Sequence, residues 1–213
     1  ECRLSIDKDG ATVPPECPGC GEQMKDPGWA DTISALWKFA GMDVDSDGKT
    51  PKRVKGQKSS YNARLRTMCW RLGSSILKAG LRSRCSVCGD ILGAEAVKKH
   101  TCVNAEYKSI GTSKFAALYV TSKAFYEEKA AFEGKKIVPA EQLPTREGKH
   151  YEPPDMISEG HIHQRAIRRM IKVFLGCLWL AWREAEGLPV TLPYAIDKLH
   201  HESLMSPEDM IDR

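Results

Sequence analysis

HIHQRAIRRMIKVFLGCLWLAWREAEGLP, residues 161–189, decides the class of fold. His161 to Glu186 runs without a proline, and Gly187 with Pro189 stops it, which predicts the longest helix of the chain. Its second half, Met170 to Trp182, is apolar on almost every side, as the central buried helix of a bundle is. Its first half stacks His161, His163, Arg165, Arg168, Arg169 and Lys172 at the positive end of the helix dipole. That costs roughly 0.3 kcal/mol or more per exposed charge. A bound phosphate would reverse the sign, and compensation by Glu159 and neighbouring acids is the alternative. His161 and His163 are read as exposed or phosphate-facing rather than as metal ligands or catalytic bases.

Upstream, Lys49 to Arg84 reads KTPKRVKGQKSSYNARLRTMCWRLGSSILKAGLRSR, with eleven Lys or Arg in 36 residues and no Asp or Glu. The residues before it sum to −6 and those after it to −1, so the chain's +4 is a local +11 in a weakly acidic background. Concentrated charge repels itself, and a phosphate backbone relieves that repulsion. A solvated lysine-rich loop followed by an ordinary helix is the blander reading, although solvated faces usually mix both signs. Within the run, Leu65, Met68, Cys69, Leu72 and Ile76 form an apolar stripe at helical spacing, and Ser59 or Ser60 is placed to cap it. Arg64, Arg71 and Lys78 recur every seven residues as a separate basic ridge flanked by Arg66. Lys49, Lys52, Arg53, Lys55 and Lys58 load the loop before them.

Eight cysteines are distributed unevenly. Cys17-Pro-Gly-Cys20-Gly and Cys85-Ser-Val-Cys88-Gly share the C-x-x-C-G form of a zinc knuckle, in which two thiolates grip an ion from a tight turn. His100 and Cys102, in KKHTC, add two donors. Either the knuckles pair with each other, or Cys85, Cys88, His100 and Cys102 close a local finger and Cys17 and Cys20 find partners elsewhere. Structural zinc is the expectation; redox or disulfide chemistry is the alternative. Cys69 and Cys177 lie among apolar residues and read as plain core.

The remaining chain supports a mainly α protein, a helical bundle with a long central C-terminal helix and zinc-knuckle insertions. Residues 1–28 hold too many Gly and Pro for a helix and form an N-terminal loop around the first knuckle. Residues 29–190 form the helical domain, with the second knuckle inserted at about 85–102, and residues 191–213 a tail with SPED as a capped short helix. Trp29 to Ala40 predicts a short amphipathic helix ended by Gly41. Ser113 to Glu133 predicts another, with Phe115, Leu118, Tyr119, Phe125, Tyr126 and Phe132 as its apolar stripe. The Pro-rich stretch from Ile137 to Gly160 is too irregular for a core element and is expected to order only on a partner. At 41% hydrophobic and 28% charged the chain is globular rather than disordered. Its longest apolar stretch, Val173 to Trp182, is about half of a bilayer span, and no signal-peptide pattern opens it. No membrane partner and a cytoplasmic location are expected. The first residue is Glu1 rather than Met, which leaves room for a preceding domain.

Taken in order, ALWKFAGM (35–42), the basic loop, YNARLRTMCWRLGSS (61–75), ALYVTSKAFYEEKAAFEGK (117–135) and residues 161–189 are similar to one known layout. The chain resembles the C-terminal helical, Nop-like domain of the DEDD-type insertion-sequence transposases, the bridge-RNA-guided recombinases, and related tandem-guide-RNA-associated proteins. The resemblance covers roughly residues 29–190 and rests on the order of four blocks, not on one sharp motif. It implies a dimer that holds guide RNA and DNA. It also implies a RuvC-like domain with acidic metal ligands, and hence Mg, which nothing in this chain supplies. The family's DNA-attacking serine aligns with Ser46, where Asp47 departs from the Ser-Gly pattern and places an acid beside the incoming phosphodiester. The zinc knuckles are additions to the family layout.

Three functions compete. A binding module would hold guide RNA and DNA through the basic loop and Arg-rich helices, with sequence read by the RNA. A recombinase would add catalysis by Ser46 with a RuvC-like half. A zinc-finger regulator would bind duplex DNA specifically with no RNA present.

Overall fold

A computed structural model describes residues 32–44, 49–57, 59–188, 190 and 205–212. Two compact units divide the chain: Glu1–Arg66 with Val173–Met210, and Thr67–Lys172 with Ile211–Arg213. Helical residues make up about half of those described, in five α-helices and two 3-10 turns, and seven short strands accompany them. The expected helix-rich class is present, but the strands were not anticipated. No helix among the described residues is long and apolar enough to cross a membrane.

In the first unit, α1 (Ile33–Phe39) starts where the Thr32 hydroxyl accepts the Ala35 amide and stops at Gly41, whose φ is +65°. Ile33 packs with Trp179 and Leu180 of α5 (Glu159–Ala185), and Leu36 and Trp37 complete the cluster. Leu178 and Trp182 lie within the apolar run of α5 yet are 53% and 46% exposed, so that run is not buried all round. The tail forms a 3-10 turn, Glu208–Met210, in which the Ser206 amide and hydroxyl both donate to the Asp209 carboxylate.

Helix α2 (Ala63–Gly80) is capped by Asn62 rather than by a serine: Oδ1 accepts the amides of Arg64 and Leu65, both at 3.0 Å. Ser59 instead accepts the Tyr61 amide one turn earlier. The buried face of α2 is Cys69, Gly73, Leu77 and Gly80, and Met68 is 64% exposed. Glycine explains the rotated face. In the second unit a Cβ at Gly73 would lie 3.0 Å from side-chain atoms of Ile167 and Ile171, so α5 approaches α2 along the glycine rather than along the larger apolar residues.

The second unit continues with β1 (Leu81–Cys85), β2 (Ile91–Leu92), α3 (Ala94–Lys98) and β3 (Tyr107–Gly111), forming an antiparallel sheet of order β2-β1-β3. Helix α4 (Lys114–Phe132) follows, with Ser113 as its N-cap. It buries Leu118 and Tyr119 as expected, but Phe125 and Phe132 are 50% and 93% exposed, and Ala116, Ser122 and Ala130 take the buried positions. The Pro-rich stretch is ordered within the chain itself. Strands β4 (Lys136–Val138) and β7 (Met156–Ser158) pair in parallel, and β5 (Thr145–Arg146) and β6 (Lys149–His150) form a hairpin between them. Its two loop residues, Glu147 and Gly148, both have positive φ, 53° and 73°, as a type I′ turn requires. Ile157, Ala130 and Ile162 then bury together, with Tyr126 and Ile137 against them.

Gly111 marks the tightest approach in this unit. A Cβ there would lie 2.0 Å from the Ala117 backbone nitrogen, which cannot step aside as a side chain can. Gly111→Ala is expected to cost about 3 kcal/mol, the upper range for overpacking, in urea denaturation. Gly93→Ala, with open space around it, is the neutral control.

Candidate metal centre and nucleic-acid interface

Cys85 ends β1 with its side chain buried, and the chain turns at once through Ser86–Cys88. The turn is closed by Gly89, which donates to the Cys85 carbonyl at 3.1 Å, and by the Cys85 amide, which donates to Asp90 at 2.9 Å. The Val87 amide points at Cys85 Sγ, 3.4 Å away. Helix α3 then carries the chain back so that His100 Nε2 lies 3.3 Å from Cys88 Sγ, and Cys102 follows two residues later. The four donor atoms of Cys85, Cys88, His100 and Cys102 all fall within 4.8 Å of one another. The local finger is therefore the arrangement that forms; Cys17 and Cys20 lie outside the described residues. Three soft thiolates and one imidazole from short turns fit a closed tetrahedral site such as that of zinc. Tyr107 meets the His100 ring edge-on, with ring centroids 6.0 Å apart.

The thiols do not share charge evenly. The Cys88 backbone amide, against desolvation, holds the Cys85 thiol down at about 6. For Cys88 the Asp90 amide pulls downward, but desolvation, the Asp90 side chain and the Cys85 and Cys102 thiols together push it up to about 12. Cys85 favours the thiolate while Cys88 keeps its proton, which a bound cation must displace. Metal uptake is therefore expected to acidify a weakly buffered solution, seen with an indicator dye, and affinity should fall as pH falls. A strong chelator should speed amide exchange across residues 85–111 while α4 stays protected. Cys102→Ser should lower bound metal below one ion per chain by elemental analysis.

The cations expected to hold phosphate divide into three groups. Lys49, Lys52, Arg53 and Lys55 are exposed on the loop before α2, which Arg66 pins by donating to the Pro51 carbonyl at 2.6 Å while its guanidinium covers the Tyr61 ring. Arg64, Arg71 and Lys78 are exposed on α2. On α5, Arg165, Arg168 and Arg169 place their guanidinium groups 5.8–6.0 Å from the ring centroids of Tyr126, Trp70 and Phe125. Ser46 and Lys58 lie outside the described residues.

The two histidines are engaged internally. His163 Nδ1 lies 2.7 Å from the Tyr119 hydroxyl. Burial, helped by Lys123, pushes the His163 pKa down, and burial pushes that of Tyr119 up, so the pair is uncharged and the hydroxyl donates. His161 Nδ1 meets Glu152 at 2.5 Å. The other Glu152 oxygen accepts the Ser158 amide and hydroxyl at 2.9 and 2.6 Å, and the Ser158 hydroxyl accepts the His161 amide. Acids thus sit at the positive end of α5, as one reading of the cation stack required: Glu159 in its first turn and, from the preceding loop, Glu152. No signal in the sequence marked Glu152, because it stands before two prolines in the stretch expected to be irregular.

No family model, curated protein or solved structure matches the chain.

Desolvation raises the Glu152 pKa, but the hydrogen bonds from Ser158 and His161 outweigh it and leave it below the ordinary 4.5. Its stabilisation is complete above that value and is lost as pH falls through the lower folded-state pKa. Glu152→Gln should cost about 1–2 kcal/mol at neutral pH, the range for a hydrogen bond to a charged acceptor. Variant and wild type should converge in acid, as read from urea midpoints across pH.

Proposed function

We propose that this chain is a zinc-braced nucleic-acid-binding module that holds guide RNA and DNA, with α5 as the long helix of the bundle that the resemblance implies. The observation that carries the reading is the run of eleven Lys and Arg without an acid between Lys49 and Arg84. Its support is the exposure of Lys49, Lys52, Arg53 and Lys55 on the loop and of Arg64, Arg71 and Lys78 on α2, where phosphates can reach them. The Cys3His donor set has the composition of structural zinc sites, and the ion there would hold the turn and α3 in place without taking part in chemistry. The guide-RNA element rests on the resemblance.

The test is to purify the protein from cells carrying its native locus and sequence the nucleic acid retained after a moderate-salt wash. A discrete small RNA of defined length supports guide binding. Duplex DNA with no RNA would instead favour a zinc-finger regulator. In binding titrations, log affinity should fall linearly with log salt. Arg64→Gln with Arg71→Gln should flatten that slope by about 1.8 on duplex DNA or about 1.4 on single strands, at 0.9 or 0.7 per phosphate contact. Folding should be preserved in circular dichroism, because both side chains are exposed.

A further inference from the structure

The sheet that leads into the Cys3His cluster places cations where a sheet acting only as a brace would not. Strands β1 and β3 pair antiparallel with Arg84 opposite Lys108 and Arg82 opposite Ile110, and β2 sets Ile91 opposite Arg84. Partners in such a ladder share a face, and alternate residues of a strand share it too. Arg82, Arg84, Lys108, Ile91 and Ile110 therefore occupy one face, and the metal ligand Cys85 the other.

Directly opposed cations have Cβ atoms about 5 Å apart and destabilise the pair of strands. Arg84 and Lys108 are both exposed, and among the described residues neither side chain makes an ion pair or a hydrogen bond. The nearest acid along β3, Glu106, is exposed and also forms no ion pair with them. Repulsion here is neither relieved by an acid nor free to relax by strand slippage. Cys85 ends β1 and Cys102 precedes β3, so closing the four-donor cluster holds the two strands in register from behind.

The cation line continues past the sheet. Arg82 donates to the carbonyls of Leu81 and Lys78, at 2.8 and 3.3 Å, which fixes its guanidinium at the C-terminal end of α2. Arg82 and Lys78 line an open groove of about 630 Å³ together with Leu77, Leu81, Ile167 and Glu95, whose carboxylate is paired with Lys98 at 2.9 Å.

We propose that this sheet face is a second phosphodiester-binding surface, in which Arg84 and Lys108 hold one backbone phosphate between them and Arg82 and Lys78 extend the track along the groove. A phosphate between Arg84 and Lys108 turns their mutual repulsion into two attractions, and the metal serves the binding by preventing the strands from moving apart. The inference rests on the nucleic-acid reading above and shares Lys78 with the α2 ridge, but Arg82, Arg84 and Lys108 lie outside the basic loop, the ridge and the α5 cations.

The test compares the full chain, metal-loaded, with the Arg84→Gln/Lys108→Gln variant, by fluorescence anisotropy over a salt series. The probes are a labelled single-stranded RNA and a DNA duplex of the same sequence. The salt slope should flatten by about 1.4 on the RNA or about 1.8 on the duplex, and the probe that changes identifies the backbone bound. Thermal stability should stay equal or rise, because repulsion is removed. The swapped pair Arg84→Lys/Lys108→Arg should keep the wild-type slope. An unchanged slope in the glutamine variant, or lost binding accompanied by lost metal or a lower melting temperature, overturns the proposal. If wild type binds and only Arg64→Gln/Arg71→Gln flattens the slope, this surface fails while the proposed function stands. If wild type binds neither probe, both fail.

Discussion

Three cysteine sulfurs and an imidazole nitrogen lie within 4.8 Å of one another, an arrangement that cannot carry three thiolate charges without a cation to offset them. A thiolate at Cys85, held low by backbone amides, raises its neighbours, and Cys88 is driven far in the opposite direction. Adjacent negative charges are mutually exclusive without a cation. The second unit is built around that constraint. The turn after β1, the short helix α3 and the approach to β3 are each only a few residues long, and none could hold its shape by burying apolar surface. Val87 and Ile91 are 60% and 51% exposed, and α3 has no buried residue. A cation held by the four donors would supply what the hydrophobic core does not.

Elsewhere the chain manages its positive charge by placement. On α5 the arginines lie against aromatic rings, His163 is kept neutral by burial, and Glu152 reaches the helix start from the preceding loop. These contacts offset the cost of gathering cations at the positive end of a dipole. The cations of the loop before α2 and of α2 itself are treated differently, because most of those described stay exposed, while Arg66 is tied back to its own loop. The contrast separates a helix end whose charge is balanced from within from a surface whose charge faces solvent.

Glycine governs how closely the elements pack. At Gly73 it admits Ile167 and Ile171, and at Gly111 it lets the end of β3 meet the first turn of α4. Both contacts are between residues distant in sequence or separated by a turn, so a hydrophobic stripe drawn on α2 or α4 alone points to the wrong side chains. Met68, Phe125 and Phe132 are apolar residues at helical spacing that face solvent. Periodicity reports which residues a helix could bury, and the partner element selects among them.

The sequence by itself determined the features that depend on neighbours along the chain. Helices α4 and α5 follow the expected spans closely and α1 ends where expected, although it begins at Ile33 after its Thr32 cap rather than at Trp29, because Ser113 and Gly41 act within a turn of themselves and an apolar period needs no partner to be read. The C-x-x-C-G turn and KKHTC were legible as metal donors for the same reason. Tertiary structure decided what depends on distance in space. It joined Cys85 and Cys88 to His100 and Cys102, drew β4 and β7 into a parallel pair, and brought Glu152 to His161. Each of these is a pairing between segments whose local sequence allows several partners, and chain closure and packing leave only one.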